Sequence, residues 1–370
     1  MKPPLMILLS LSLSWNMLPG QVVKADPSLP AYQPAGPIAG EIATIVPHNL
    51  DTLMQSWVRA FHQHHPAASV RLNLTVPLSA DAFEALMEDR IQIAPFVRET
   101  SPTEEADFRQ KFGYAPLLIC VATGSHATKY NTHALGVYVN ASNPLTKLTL
   151  AQLDAIYFTT RRRGYPEDIT TWGQLGLTGE WANRPIHLYG MVHRYEKTNN
   201  PPGILYFFMQ RVSRGGELKH TVREIIDTTP HGRTLMPQAT AMLAGAGAGN
   251  EPGMEALDGI VAAVARDPAG IGYSGFRNRR EGAKTLALAS DPGGPFFTGT
   301  LDEVLQRQYP LTRRIYIVIN RAPGRPLNPV VREFLRFVLS REGQEFVAAD
   351  PSNYLPLTPR AAARARTQLD

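Results

Sequence analysis

From residue 42 onward, short apolar runs with a period of two alternate with longer stretches at helical spacing, and few architectures accept that alternation. Ile42-Ala-Thr-Ile-Val46 has the make-up of a first strand. Asn49 is a good N-cap, and Leu50, Leu53, Met54, Trp57 and Phe61 behind it share one helical stripe. Val70-Arg-Leu-Asn-Leu-Thr-Val76 alternates as a second strand, and Asp81 then caps a helix with Phe83, Leu86 and Met87 on its buried side. Near the other end Ile315, Ile317 and Ile319 alternate with Tyr316, Val318 and Asn320. Phe334, Leu335, Val338 and Leu339 follow at helical spacing, with Gly343 as the stop. Strands alternating with helices imply a parallel sheet covered by helices on both faces. In such sheets the ligand crevice lies beyond the carboxyl ends of the strands, where helix N-termini present unpaired N–H groups. The loops that matter are therefore Pro47 to Asn49, Pro77 to Asp81, Ala94 to Glu99 and Gly190 to Gly203.

A chain of 370 residues supplies two ordinary lobes with substantial cores. Lys2 precedes the apolar run Leu5 to Leu13, and Val23-Lys-Ala25 offers small residues where a signal peptidase reads. Residues 1–25 are thus expected to be a secretory signal, removed near Ala25, followed by an extended leader at 26–39 that carries Pro27, Pro30, Pro34 and Pro37. Loss of Lys2 and Lys24 lowers the formal charge from +5 to +3. So mild a balance, on an exported protein, argues against nucleic acid as a partner. Cys120, the sole cysteine, sits in the apolar run Leu117 to Ala122 and reads as a buried, inert thiol.

Several blocks carry a family likeness. Tyr309-Pro-Leu-Thr-Arg-Arg-Ile-Tyr-Ile-Val-Ile-Asn320 and the helix ending Leu339-Ser-Arg-Glu-Gly-Gln344 resemble the closing segment of the periplasmic phosphate-binding proteins of ABC importers. Leu53 to Trp57, Lys111-Phe-Gly-Tyr114, Leu148 to Ile156, Thr171 to Trp181 and Gly270-Ile-Gly-Tyr-Ser-Gly275 are similar to further blocks, in family order. The resemblance runs from about Glu41 to Leu357. It implies an α/β, two-lobed type II periplasmic binding protein fold, each lobe a mostly parallel sheet flanked by helices. Residues 40–120 plus 312–365 would form lobe one and residues 121–311 lobe two, joined by two crossover strands at Leu117 to Val121 and Thr312 to Ile319.

Members of that family hold a dry oxyanion with hydroxyls, helix N-terminal amides, one arginine and an acidic proton acceptor, and they use glycine where the anion must approach the backbone. This chain departs from the pattern. Val46-Pro47-His48-Asn49 replaces the first loop, and Pro47 removes an amide donor as well as a hydroxyl. Ser79 keeps one hydroxyl of the second loop; the third keeps Arg98 but has Val97 where a Ser or Asp ligand is expected. In the fourth, Met191 stands where the clamping arginine belongs, within an insertion that runs to Gly203. Glu255 would repel an anion at a further helix start. What the resemblance leaves as ligand candidates is His48, Asn49, Ser79, Arg98, His193, Arg194 and Gly203. On sequence alone two readings stand: these residues bind phosphate or a larger, more weakly held anion, or the loops have drifted and their side chains are merely solvated.

Other patterns carry less. His62 and His65 share a helical face, but no carboxylate or thiol nearby completes a metal shell, so a solvated helix end is expected. The glycine-rich stretch 244–253 lacks the Gly-Lys-Ser/Thr ending of a phosphate loop. Arg161 to Arg163, Arg277 to Arg280, and Arg313 with Arg314 read as solvated basic faces or as docking points for an anionic partner. No catalytic signature is present, so the chain is read as non-enzymatic, with no cofactor and no metal. The expectation is a monomeric, exported solute-binding protein for a small anion, served by an inner-membrane ABC permease, with a ligand-free scaffold on the same fold as the alternative.

Overall fold

The computed structural model describes residues 23–75, 79–128, 132–191, 203–224 and 254–370. His193, Arg194, Pro77, Leu78, the glycine-rich stretch 244–253 and the expected signal through residue 22 lie outside the described residues. In chain order come β1 (Gly40–Ile45), α1 (Asp51–His64), β2 (Ala68–Asn73), α2 (Ser79–Met87), β3 (Ala94–Phe96), α3 (Pro102–Phe112) and β4 (Leu117–Thr123). The chain then crosses into a second lobe. There it forms β5 (Leu135–Asn140), β6 (Lys147–Thr149), α4 (Leu150–Tyr157), β7 (His187–Gly190), α5 (Gly203–Ser213), β8 (Arg223–Glu224), α6 (Met254–Arg266), β9 (Gly270–Gly275), β10 (Ala283–Thr285), β11 (Ala287–Ala289) and α7 (Leu301–Leu305). It returns as β12 (Arg314–Ile319), α8 (Pro329–Val338), α9 (Arg341–Ala349) and α10 (Pro359–Arg366).

In the first lobe β1 and β2 pair in parallel, Gly40 opposite Ala68 through Ile45 opposite Asn73. β12 lies between β3 and β4 and runs antiparallel to both. In the second lobe the order is β10-β5-β9-β7-β8, with β7 parallel to β8 and β9, and β5 antiparallel to β9. β5 and β12 have a common cause for their direction. Each is the first strand after a crossing, enters its sheet from the cleft end, and so runs against neighbours that end there.

Helices cover both faces of each sheet. Trp57, Phe61, Ile315, Ile317, Phe334 and Leu335 cluster on one face of the first lobe, and Phe83, Phe96, Phe108 and Val318 on the other. In the second lobe α4 and α5 bury Ile156, Phe207 and Phe208, while Leu257, Ile260 and Val264 of α6 pack on Tyr138 and Tyr189 across the sheet. The Trp57 indole donates to Gly343 O at 2.8 Å, pinning α1 to α9.

Local expectations need correcting at several points. Asn49 does not cap α1: a 3-10 turn, His48–Leu50, intervenes, and no side chain caps either element. Asp81 lies inside the first turn of α2 rather than ahead of it. Gly343 does not stop α8, which ends at Val338; it sits inside α9, where a Cβ would come within 2.3 Å of Phe337 O. The requirement there is close packing, not a turn. His65 is buried at 3% exposure rather than solvated, because the leader covers it: Tyr32 Oη lies 2.6 Å from His65 Nε2 and donates to Glu333 Oε1 at 2.8 Å. Cys120 is half-buried rather than enclosed, and its sulfur accepts from Arg307 Nη2 at 3.2 Å.

Candidate functional site

The loop at the carboxyl end of β3 and the N-terminus of α5 meet beside Arg313, where the chain crosses between the lobes. At the end of β3, Arg98 is fixed by the capping box of α3: Ser101 accepts from Glu104 N, and the Glu104 carboxylate turns back toward the loop. That carboxylate receives both prongs of Arg98, Nη1 and Nη2 at 2.7 Å each, while Nη1 also donates to Glu99 O at 2.9 Å. The guanidinium is poised at the cleft, yet its fork is already filled by an internal carboxylate.

Across the cleft, Gly203 opens α5. A Cβ placed on it would lie 3.9 Å from Arg98 Cδ and 4.0 Å from Arg313 Nη2, so two guanidinium-bearing chains flank one helix N-terminus. Arg313, read from sequence as half of a basic cluster, is a cleft residue at 5% exposure. Its Nη2 donates to Val97 O at 3.3 Å, and its guanidinium carbon stands 5.3 Å over the Phe207 ring. It lies one residue ahead of β12, a strand buried on both faces. Val97 supplies no side-chain ligand, but its carbonyl also accepts from Thr132 Oγ1 at 3.2 Å. Tyr206 of α5 donates to Thr100 O at 2.5 Å, and burial pushes its phenol well above the ordinary value. Three hydrogen bonds therefore tie the second lobe, or its crossing, to the loop after β3.

The remaining candidates are arranged less favourably. His48 is exposed and its Nδ1 is 3.2 Å from Asp51 Oδ2, so the ring faces a carboxylate of its own turn. Burial raises the Asp51 carboxyl, with His48 opposing, and Oδ1 has no partner among the described residues. Asn49 contributes its carbonyl to Tyr354 Oη at 3.1 Å. Ser79, at the start of α2, is 6% exposed, and its hydroxyl has no hydrogen-bond partner among the described residues. The Met191 backbone N–H donates to Tyr273 Oη at 3.1 Å, and its side chain packs into the second-lobe core. Arg98 and Gly203 are thus brought together; His48 is engaged within its own turn, and Asn49 through its carbonyl with Tyr354.

The basic cluster Arg161 to Arg163 is engaged internally in part, with Arg162 exposed. Arg161 pairs with Asp168, Arg162 Nη1 donates to Arg214 O at 3.1 Å, and Arg163 caps the end of α5 through Val212 O at 2.5 Å and Arg211 O at 2.7 Å. Among the described residues no group of three or more His, Cys, Asp or Glu side chains is placed to hold a metal. The chemistry on offer is reception of a small anion by guanidinium groups and a helix N-terminus.

A family profile described as "PBP superfamily domain" matches residues 32–342. Phosphate-binding protein PstS of Pseudomonas aeruginosa, in strains PAO1 and UCBPP-PA14, is 31% identical over 348 residues, 94% of this chain and 93% of the relative. Solved structures include PstS from Borrelia burgdorferi (13% identity, 86% of this chain and 99% of that one, TM-score 0.49). An ABC-type phosphate transport receptor from Vibrio cholerae is similar over 86% of this chain and 100% of that one (17% identity, TM-score 0.48).

Proposed function

The chain belongs to the PBP superfamily, among the phosphate-binding proteins of ABC importers, and from that premise we propose that it is an exported receptor that takes phosphate or a similar small oxyanion between its lobes. The observation that carries this reading is the convergence of Arg98 and Arg313 on Gly203 at the N-terminus of α5. Two arginine side chains flank one helix N-terminus, whose dipole favours an anion.

Binding is weaker than the family pattern implies. Pro47, Val97 and Met191 supply no side-chain donors, and an incoming anion must compete with Glu104 for the Arg98 fork. Each missing charge-assisted bond forfeits about 1.5–3 kcal/mol. Closure runs through Tyr206 to Thr100 and Thr132 to Val97, contacts that an open form gives up, so ligand shifts the population toward a closed shape that an inner-membrane permease recognises. The domain division proposed is 40–120 plus 312–365 against 121–311. A ligand-free scaffold is the weaker reading, because in its expected contact surface Arg161 is paired with Asp168 and Arg163 with the end of α5, leaving Arg162 alone exposed. Small-angle scattering of the mature protein tests this: compaction on adding phosphate is expected, and an unchanged radius with phosphate, arsenate and sulfate would remove the transport reading.

A further inference from the structure

The leader does more than precede the fold. Tyr32 rests edge-on against His64, at the far end of α1 from His48, about 20 Å along the helix from the cleft-facing turn. Tyr32 N donates to Glu342 Oε2 at 2.6 Å and Arg341 N to Pro30 O at 2.9 Å, so the leader is laced to the start of α9. Between leader and helices lies a cavity of about 340 Å³, lined by Pro30, Ala31, Tyr32, Gln33, Arg336 and Arg366. That is roughly ten times the volume of one liquid water, about 30 Å³.

The charges around this cavity do not balance. Arg336, at the end of α8, gives Nη1 to Glu333 Oε2 at 3.1 Å and Nη2 to Gln33 O at 3.4 Å. Arg366, at the end of α10, has Nη1 buried with no hydrogen-bond partner among the described residues. The nearby acids are engaged: Glu333 Oε1 accepts from Tyr32 Oη and from Ala35 N at 3.2 Å, and Asp370 Oδ1 pairs with Arg332 at 2.6 Å. Burial first, and Arg336 second, disfavour the charged form of Arg366; Asp370 and Glu333 only oppose this. A guanidinium stays protonated in proteins, so the stress is relieved by a counter-ion rather than by losing a proton. Both arginines sit in last helical turns, where the exposed carbonyls favour cations, so an anion here must be held by side chains.

We propose that this cavity is a second anion site, remote from the cleft, in which Arg336 and Arg366 hold a small free oxyanion such as sulfate or phosphate against the leader. The test is a nitrogen-15 titration of the mature protein with sulfate at constant ionic strength. The Arg336 and Arg366 Nε–H signals are assigned by loss in Arg336→Lys and Arg366→Lys. Saturable shifts of both signals are expected, with apparent affinity falling at least tenfold in Arg366→Gln and less in Arg366→Lys, which keeps the charge but not the fork. A drift that is linear and equal for sulfate and chloride, or an Arg336 response unchanged by Arg366→Gln, overturns the site. The Arg98 Nε–H in the same spectra reports the cleft, so failure of one site is read separately from failure of the other.

Discussion

Glu104→Gln is the change most diagnostic of the cleft. Glu104 holds Arg98 by two 2.7 Å bonds, with the two side chains only 10% and 16% exposed, so the pair is poorly screened. Glutamine at this position still completes the capping box, because its amide oxygen accepts from Ser101 N as the carboxylate does at 2.6 Å. One charge-assisted bond to Arg98 is lost, and with it a negative charge that an arriving anion must face. Hydrogen bonds to charged groups contribute about 1.5–3 kcal/mol. Since the amide oxygen keeps part of the interaction, the lower figure applies, and phosphate affinity should rise by roughly tenfold. Calorimetric titration of wild type and variant with orthophosphate, with thermal unfolding as a folding control, reads this directly. Unchanged or weaker binding by a folded variant would mean that Arg98 and Glu104 form a fixed structural pair beyond the anion's reach.

Tyr206→Phe deletes the cross-cleft bond to Thr100 O; about 1 kcal/mol of closure is lost, and phosphate should dissociate roughly fivefold faster in stopped-flow measurements. Arg163→Ala strips two partners from the end of α5 and should lower the melting temperature by about 5 °C while leaving phosphate affinity per folded molecule unaltered. For His65, burial leads the causes that depress the folded pKa below the usual value of about 6.5. The unfolded chain therefore takes up a proton that the folded one refuses, and stability falls as pH drops below about 6.5 toward the folded pKa, then levels off. Melting curves from pH 7 to pH 5 should show that slope, and His65→Gln should flatten it.

Much of the layered fold was legible in sequence because periodicity reports burial directly: Trp57, Phe61, Ile315 and Phe334 lie where their spacing placed them. Caps were less legible, since Pro47 imposes a 3-10 turn that makes Asn49 useless as a cap, a local effect that residue preference alone does not encode. Gly343 looked like a stop because glycine ends helices, whereas its reason here is the approach of Phe337 O from a neighbouring helix. Side-chain partners were the hardest to read. The filling of the Arg98 fork was missed although its partner is only six residues on, because Ser101 and Glu104 at capping-box spacing mark a helix start and not an arginine clamp. Arg313 was hidden by its neighbour Arg314, because a pair of arginines ahead of a strand reads as a basic face, whereas here its partners are Val97 O and the Phe207 ring. Arg163 looked solvated because its acceptors, the last carbonyls of α5, lie about fifty positions downstream.

Calorimetric titration of the mature protein with orthophosphate, near neutral pH and moderate salt, tests the central claim most directly. Arg366→Gln is the background of choice, because it removes the second cavity from the isotherm. Saturable one-to-one binding with a dissociation constant between about 1 μM and 1 mM is expected, corresponding to roughly 8 to 4 kcal/mol. Heat that never saturates below about 10 mM would contradict reception in the cleft, and a sub-micromolar constant would contradict a site weakened by Pro47, Val97, Met191 and Glu104.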